Sequence, residues 1–342
     1  MEKAPSRLQG RVLVACGFFV LLCSITTLER VSFKMLVDRV VPFRFLLVIF
    51  FVLFETLALM VIVNVRCLCG DRKESSGPFP ARKLLLMAII DLTKLFMMTL
   101  PASSVAPTLT VLLLQGHLPC TFLASICCQQ LPYRGQHYLG AAMISFALLL
   151  ALVPFFATWS DEAWSRDGWS TLIYLFSCIP ASASKLCNER ALMDYKQPMD
   201  PYALNLRISV YQLFLLFPGT LLAYRLQMLG SPPSSCVGKV CGQPGLLQSV
   251  RQGLRCLLMG QSPESHPAIC DSAMPILLVY ISSVLLVNFT VGRVLKYGSE
   301  KLLYRAVNAS TLTAFVVLGA LASGEPRPLL GLSMFLVRII SR

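Results

Sequence analysis

Charge is what this sequence has least of. Only 14% of its 342 residues are Asp, Glu, Lys or Arg, against 56% hydrophobic residues. At a mean hydropathy of +0.68, too little polar surface exists to wrap a water-soluble domain around one buried core. Histidine is scarcer still: His117, His137 and His266 are scattered, no metal-ligand cluster stands in the sequence, and no nucleophile lies at the spacing of a base. Neither an enzyme nor a metal or cofactor protein is expected. Acidic residues, 17 against 30 basic ones, leave a formal net charge of +13. A soluble basic stretch interleaved with aromatics is missing, however, which excludes nucleic acid as the partner.

What the chain has instead is long apolar runs. A bilayer core of about 30 Å needs roughly 20 apolar residues per helix. Nine such segments and a partial tenth fall at 12–33, 43–65, 84–101, 104–130, 137–156, 169–190, 202–224, 274–296, 300–322 and 329–342. The last, at about 14 residues, is re-entrant or interfacial in length, so either the chain is truncated at Arg342 or helix ten is marginal. The first segment has a second reading as a signal peptide, because Lys3, Arg7 and Arg11 precede it. Its length, the Glu29–Arg30 pair at its far end and the lack of a small-x-small cleavage site favour a retained helix. A cytoplasmic N-terminus places the larger share of Lys and Arg on the cytoplasmic side and the acidic cluster Asp161, Glu162 and Asp167 on the other, as the positive-inside rule requires.

That orientation puts the longest loop, 225–273, on the non-cytoplasmic side, where disulfides persist. Nine of the thirteen cysteines lie in or beside apolar segments as small packing residues; Cys236, Cys241, Cys256 and Cys270 lie in this loop. Four thiols allow three pairings, with free thiols or a zinc site as alternatives; the spacing contains no close Cys-x-x-Cys pair. Within the loop, Leu246, Leu247, Val250, Leu254, Leu257 and Leu258 recur at helical spacing with Arg251 and Arg255 between them, the pattern of a helix lying in the membrane interface.

Ionisable residues at bilayer depth are costly, and each one is a hypothesis about a solute or ion path. Asp91 and Lys94 stand one turn apart in the third segment, where they can also neutralise one another locally; Glu55 interrupts the second. Lys185 in the sixth and Arg207 in the seventh are long enough to snorkel toward the cytoplasmic face. Pro119 and Pro180 interrupt the fourth and sixth segments, with Gln115, Gly116, Ser182 and Ser184 around them, which suits a close helix interface or a polar cavity. Five segments before the acidic loop and five after it make the second half insert upside down, the inverted repeat of many secondary transporters. The expected organisation is therefore 1–156 as a first five-helix repeat, 157–168 as a lumenal connection and 169–342 as a second repeat.

In order and spacing, several stretches resemble the chloroquine-resistance-transporter-like family, a branch of the drug/metabolite transporter superfamily. They are Ile90-Asp91, Leu114-Gln115 with Pro119, Tyr138-Leu139-Gly140-Ala141, Ile179-Pro180 with Ser184 and Glu189, and Leu204-Asn205 with Ser209 and Gln212-Leu213-Phe214. Gly253-Leu254, Cys256, Cys270 and Glu325-Pro326-Arg327 extend the similarity toward the last segment. The resemblance implies an all-α integral membrane fold of about ten helices in two inverted halves around a central cavity. It further implies transport of amino acids, short peptides, cationic drug-like compounds or thiols out of an acidic compartment. It carries over a Cys256–Cys270 bridge, and Arg30 as a basic residue facing the cavity from helix one. The chain departs from the pattern in helix eight, where only Asn288 is polar near the expected place, and at Arg207, which adds a positive charge that would favour anionic or zwitterionic solutes.

The sequence is thus read as a secondary active transporter of small organic solutes across a vacuole- or lysosome-like membrane, moving them to the cytosol with protons. Asp91 and then Glu55 are the candidates for proton coupling; Arg30, Lys94, Gln115, Ser184, Asn205, Ser209 and Gln212 shape the cavity. Within transport the alternative is a nucleotide-sugar or phosphate-type exchanger, which Lys94 and Arg207 would suit; outside it, a non-transporting membrane scaffold. Only about ten residues precede the first segment, fewer than a plastid transit peptide needs, which favours an endomembrane over a plastid.

Overall fold

The computed structural model describes residues 4–69, 79–129, 135–157, 162–193, 200–229, 246–261, 270, 273–297 and 300–323. The short segment expected at 329–342, together with Asp161, Cys236 and Cys241, lies outside them. Every regular element among the described residues is helical. In chain order they are α1 (Ala4–Arg39), a 3-10 turn at Val41–Phe43, α2 (Arg44–Leu68), α3 (Ala81–Thr99), α4 (Pro107–Leu114) and α5 (His117–Gln129). Then follow α6 (Gly135–Ala157), α7 (Glu162–Phe176), α8 (Cys178–Met193), α9 (Pro201–Leu229), α10 (Leu246–Met259), α11 (Ala273–Tyr297) and α12 (Glu300–Ser323).

Six stretches among the described residues are long and apolar enough to cross a bilayer: Cys16–Arg39, Val41–Leu68, Pro107–Cys127, Gly135–Val153, Pro201–Arg225 and Ala273–Thr290. Ala309–Ala320 is a shorter apolar stretch. The helices α3 and α8 fall outside this set because of what they carry: Arg82, Lys83, Asp91 and Lys94 crowd a 19-residue helix, and α8 has 16 residues. Leucines, phenylalanines and valines project outward over α2, α6 and α9, with Val61, Phe146 and Phe217 among the exposed ones. Such a surface is stable only against lipid or protein.

The two segments that Pro119 and Pro180 interrupt are each built of two helices. The fourth is α4 plus α5, separated at Gln115 and Gly116; the sixth is α7 plus α8, separated at Ser177. In both cases proline is the third residue of the following helix, Pro119 in α5 and Pro180 in α8. A proline ring collides with the carbonyl four residues back and offers no N–H to it, so the chain breaks at Gln115 and near Phe176. Backbone bonds restart beyond the gap, from Cys120 N to Gly116 O and from Ala181 N to Ser177 O, both at 3.2 Å.

The chain divides into two units. One comprises Met1–Leu36, Pro107–Val111 and Ser272–Arg342, the other Val37–Ala106 and Leu112–Asp271. In the first, α1 and α12 meet through Val31, Ala314 and Leu318, joined by Val111 from the start of α4. Hydroxyls line the same seam. Thr27 shares a short hydrogen bond with Thr313, and its hydroxyl also reaches Ser310 O at 3.3 Å.

In the second unit α9 packs on both α2 and α3, α3 on α8, and α8 on α5. Leu84, Met87 and Ala88 of α3 close against Leu204 and Ile208 of α9 and Ala191 of α8. Val48 and Val52 of α2 meet Leu92 and Leu216 one layer away. The ends of α2 are tied by two arginines. Arg44 donates to Val41 O at 3.0 Å and to Leu100 O, occupying a carbonyl that the end of α3 leaves open. Arg66 pairs with Asp200 at 2.8 Å and lies over the Tyr202 ring, 5.1 Å from its centre. Asp200 in turn caps α9, accepting from Tyr202 N at 3.4 Å, with Pro201 as the first helical residue.

The loop helix α10 is amphipathic, as its spacing predicts. Its buried face, Ser249, Gly253, Cys256 and Leu257, lies on the 3-10 turn and the start of α2. A side chain at Gly253 would collide with Leu46 and Phe43, so the close approach depends on glycine. Leu247, Leu254 and Leu258 stay exposed beside Arg251 and Arg255. A disulfide joins Cys256 to Cys270, with the Cα atoms 5.1 Å apart.

Candidate functional site

The helix breaks sit against one another. A Cβ added at Gly116 would lie 3.0 Å from Leu113 O, 3.1 Å from Leu175 Cδ1 and 3.3 Å from Cys178 Sγ. Only a glycine therefore lets the α4–α5 gap reach the α7–α8 gap without displacing it. Across the crossing, Cys178 Sγ points at Leu113 O, 3.4 Å away. Thr121 of α5 donates to Ser182 Oγ of α8 at 3.0 Å, and Ser182 reaches Cys178 O at 2.8 Å and His117 O at 3.3 Å. Thiol and hydroxyl side chains thus reach backbone carbonyls around both gaps, while Gln115 O, four residues before Pro119, accepts from Leu118 N.

Two residues along α8 the polar network continues into α3. Ser184, 6% exposed, donates to Asp91 Oδ1 at 2.6 Å. Lys94 Nζ donates to the same oxygen at 3.0 Å. Asp91 is the more enclosed partner, its side chain 14% exposed against 36% for Lys94. Glu55, halfway along α2 and exposed, lies within electrostatic reach of both Lys94 and Asp91. The expected local neutralisation of Asp91 by Lys94 is present, and Ser184 adds a second donor from another helix, so the carboxylate is tied to α8 as well as to its own helix.

Of the other residues expected at a cavity, Ser209 and Gln212 are 3% and 7% exposed on the α9 stripe that continues to Leu216, which packs on α2 and α3. Asn205, one turn earlier on that stripe, is exposed, and Arg207 is half-buried. Gln115 stands in the α4–α5 gap, its carbonyl accepting from Leu118 N at 3.0 Å. Arg30 belongs to the other unit, where its guanidinium donates to Thr311 of α12; Thr311 is itself only 6% exposed. Asn288 of α11 is exposed.

Two residues join the site that sequence reasoning set aside. His117 was one of three scattered histidines, yet its Nδ1 lies 3.3 Å from Thr121 Oγ1, and its ring is in reach of the Ala181 backbone and of the charges of Lys185 and Lys94. Lys185, long enough to snorkel, is exposed and lies within electrostatic reach of Glu189 and of Lys94. The signal in the sequence was position alone: His117 directly follows Gly116 and precedes Pro119 by two residues, and Lys185 follows Ser184. The site therefore draws on α2, α3, α5 and α8, with two carboxylates, two ammonium groups and an imidazole set among hydroxyls. That arrangement can hold charged solute groups and exchange protons with them.

A chain of several membrane-crossing apolar helices, with proline-broken helices crossing beside a partly buried carboxylate, is a multi-pass integral membrane protein. It belongs to the CRT-like, chloroquine-resistance transporter-like family, whose pattern it matches over residues 14–334. It is similar to the chloroquine resistance transporter of Toxoplasma gondii, with 25% identity over 311 residues that make up 86% of this chain and 33% of the relative. The chain thus spans about a third of the length of that relative.

Proposed function

We propose that this protein is a secondary active transporter of small organic solutes, coupled to protons and working outward from an acidic vacuole- or lysosome-like compartment to the cytosol. The observation that carries the reading is Asp91 Oδ1 held by Ser184 at 2.6 Å and Lys94 at 3.0 Å in the middle of a helical bundle. A carboxylate placed there gains or loses a proton at a large change in local charge, and the donors it releases or recaptures sit on two helices. Proton binding is thereby linked to helix position. Glu55 is the second protonatable group, and Gln115, Ser184, Asn205, Ser209 and Gln212 offer neutral polar contacts.

Membership in a transporter-like family supports the same reading. So do the paired helix breaks, because discontinuous helices are where many transporters bind solute. The full architecture we infer is ten helices in two inverted halves, 1–156 and 169–342, with the loop 225–273 facing the lumen, α10 in the membrane interface and Arg30 acting as a charge filter from α1. Amino acids, short peptides, cationic drug-like compounds and thiols are the solutes to try.

Reconstitution into proteoliposomes tests the proposal. Uptake of at least one of these classes is expected, several-fold faster with an imposed proton gradient than without. Protein that inserts correctly yet moves none of them, with either sign of gradient, overturns it.

A further inference from the structure

Cysteine in an apolar helix ordinarily serves as a small packing residue, and Cys23 and Cys178 are buried accordingly. Cys67 and Cys69 are not. Both are exposed thiols, and Leu68 between them is 87% exposed. They stand where the apolar run of α2 stops. Val41–Leu68 is a membrane-crossing stretch, Cys69 closes the helix with its N–H on Val65 O at 2.9 Å, and Arg72 and Lys73 follow shortly in the sequence.

Packing fixes the depth of this point. Arg66, directly before Cys67, pairs with Asp200 at 2.8 Å and lies over the Tyr202 ring. Those residues begin another crossing stretch, Pro201–Arg225, so one span ends and another starts at the same level. A half-exposed ion pair beside a tyrosine ring suits the boundary between hydrocarbon and water, not the bilayer core. The thiols just beyond Arg66 lie at that boundary, with an exposed leucine between them.

We infer that Cys67 and Cys69 are sites of S-acylation by a long fatty chain. The donor is a long-chain acyl-coenzyme A, brought by a membrane acyltransferase. The cysteine sulfur attacks the thioester carbonyl, a new sulfur–carbonyl bond replaces the bond to coenzyme A, and coenzyme A leaves as a thiol with the proton that the cysteine gives up. Nothing is oxidised or reduced. The attached chain turns back into the bilayer beside Leu68, where each buried methylene adds membrane affinity, while Arg72 and Lys73 suit the anionic surface of a cytoplasmic leaflet. Acyl-coenzyme A is a cytosolic donor, so the inference rests on the orientation proposed above, with the loop 225–273 facing the lumen. That orientation puts the thiols of Cys67 and Cys69 on the reducing side and the Cys256–Cys270 disulfide on the other, which agrees with the state of each pair.

The test uses the full chain, expressed in the cells it comes from. Existing thiols are blocked, thioesters are cleaved with neutral hydroxylamine, and each thiol released is tagged with a polyethylene glycol maleimide that shifts the band on a gel. C67S and C69S should each lose one tag relative to wild type, and C67S/C69S should lose two. Both positions are exposed, so the variants should keep the melting temperature of the wild type. A double variant that carries as many tags as wild type overturns the inference.

A second arm separates the two ways of failing. On sealed vesicles with the cytoplasmic face outward, the membrane-impermeant maleimide should reach Cys67 and Cys69 only after hydroxylamine. If it reaches them equally well without hydroxylamine, the orientation stands and acylation is overturned. If it reaches them only once the membrane is opened, the two thiols face the lumen, and the proposed orientation falls together with the inference.

Discussion

Ser184 on α8 donates to Asp91 on α3 at 2.6 Å, and through that bond the carboxylate belongs to two helices at once. The oxygen that receives it also receives Lys94. Replacing Asp91 by Asn keeps a carbonyl oxygen able to accept both bonds and removes the charge. Asp91→Asn is therefore expected to insert and fold with a melting temperature near that of the wild type, and to lose the acceleration of uptake by a proton gradient. Uptake by the Asn variant that still follows the gradient would assign Asp91 a purely structural pairing with Lys94 and Ser184.

The crossing of the broken helices makes a steric prediction. A Cβ added at Gly116 would lie 3.0–3.3 Å from Leu113 O, Leu175 and Cys178, whereas nothing lies within 4 Å of one at Gly140. Gly116→Leu should force α5 and α8 apart, at a cost of about 1–3 kcal/mol. Gly140→Leu, on the open surface of α6, should cost little. Thermal melting of the two purified variants is the measurement, and equal melting temperatures would remove the argument for a close approach at Gly116.

The bond between Cys256 and Cys270 closes a segment with a sequence separation of 14, which in the chain-entropy model contributes roughly 3 kcal/mol. Because Cys256 is fully buried where α10 meets the start of α2, Cys270→Ser should lower the melting temperature and raise protease sensitivity within 246–270. Mass spectrometry of non-reduced protein isolated from its native membrane should recover the linked peptides. Two free thiols there would contradict both the bridge and a lumenal loop.

Arg30 donates to Thr311, a contact that Arg30→Thr abolishes along with a permanent charge. If that charge filters solutes, the variant should transport a cationic amphiphile several-fold faster than wild type, from about 1 kcal/mol of relieved repulsion, while a neutral dipeptide changes little. Proportional changes for both solutes, normalised to protein in the membrane, would show that Arg30 only fastens α1 to α12.

Much of this was legible in the chain itself. Apolar runs of membrane length are a one-dimensional property, set by composition over about 20 residues; the helices α1, α2, α6, α9 and α11 follow from them directly. Pro119 and Pro180 act on the carbonyl four residues back along their own helix, so their breaks are local too, and α10 is visible in the period of its leucines. Asp91 stands out for the cost of a charge among apolar neighbours, and Lys94 is its partner at a spacing any helix imposes.

What the linear order could not hold is which of these local features meet. The gap at Gly116 lies against the gap before Cys178, some sixty residues on, and Ser184 reaches Asp91 across a separation of 93. No periodicity encodes such contacts, because they depend on which helix faces pack after the chain has turned several times. His117 and Lys185 illustrate this most directly. By sequence one is a scattered histidine and the other a lysine long enough to reach a membrane surface; the packing of α5, α8 and α3 brings both within electrostatic reach of Lys94. Composition and local backbone chemistry determined that this is a bundle of membrane helices with broken segments and a costly charge. Tertiary packing alone decided which polar side chains share that charge's environment, since electrostatic and hydrogen-bond energies depend on distance in space, not on distance along the chain.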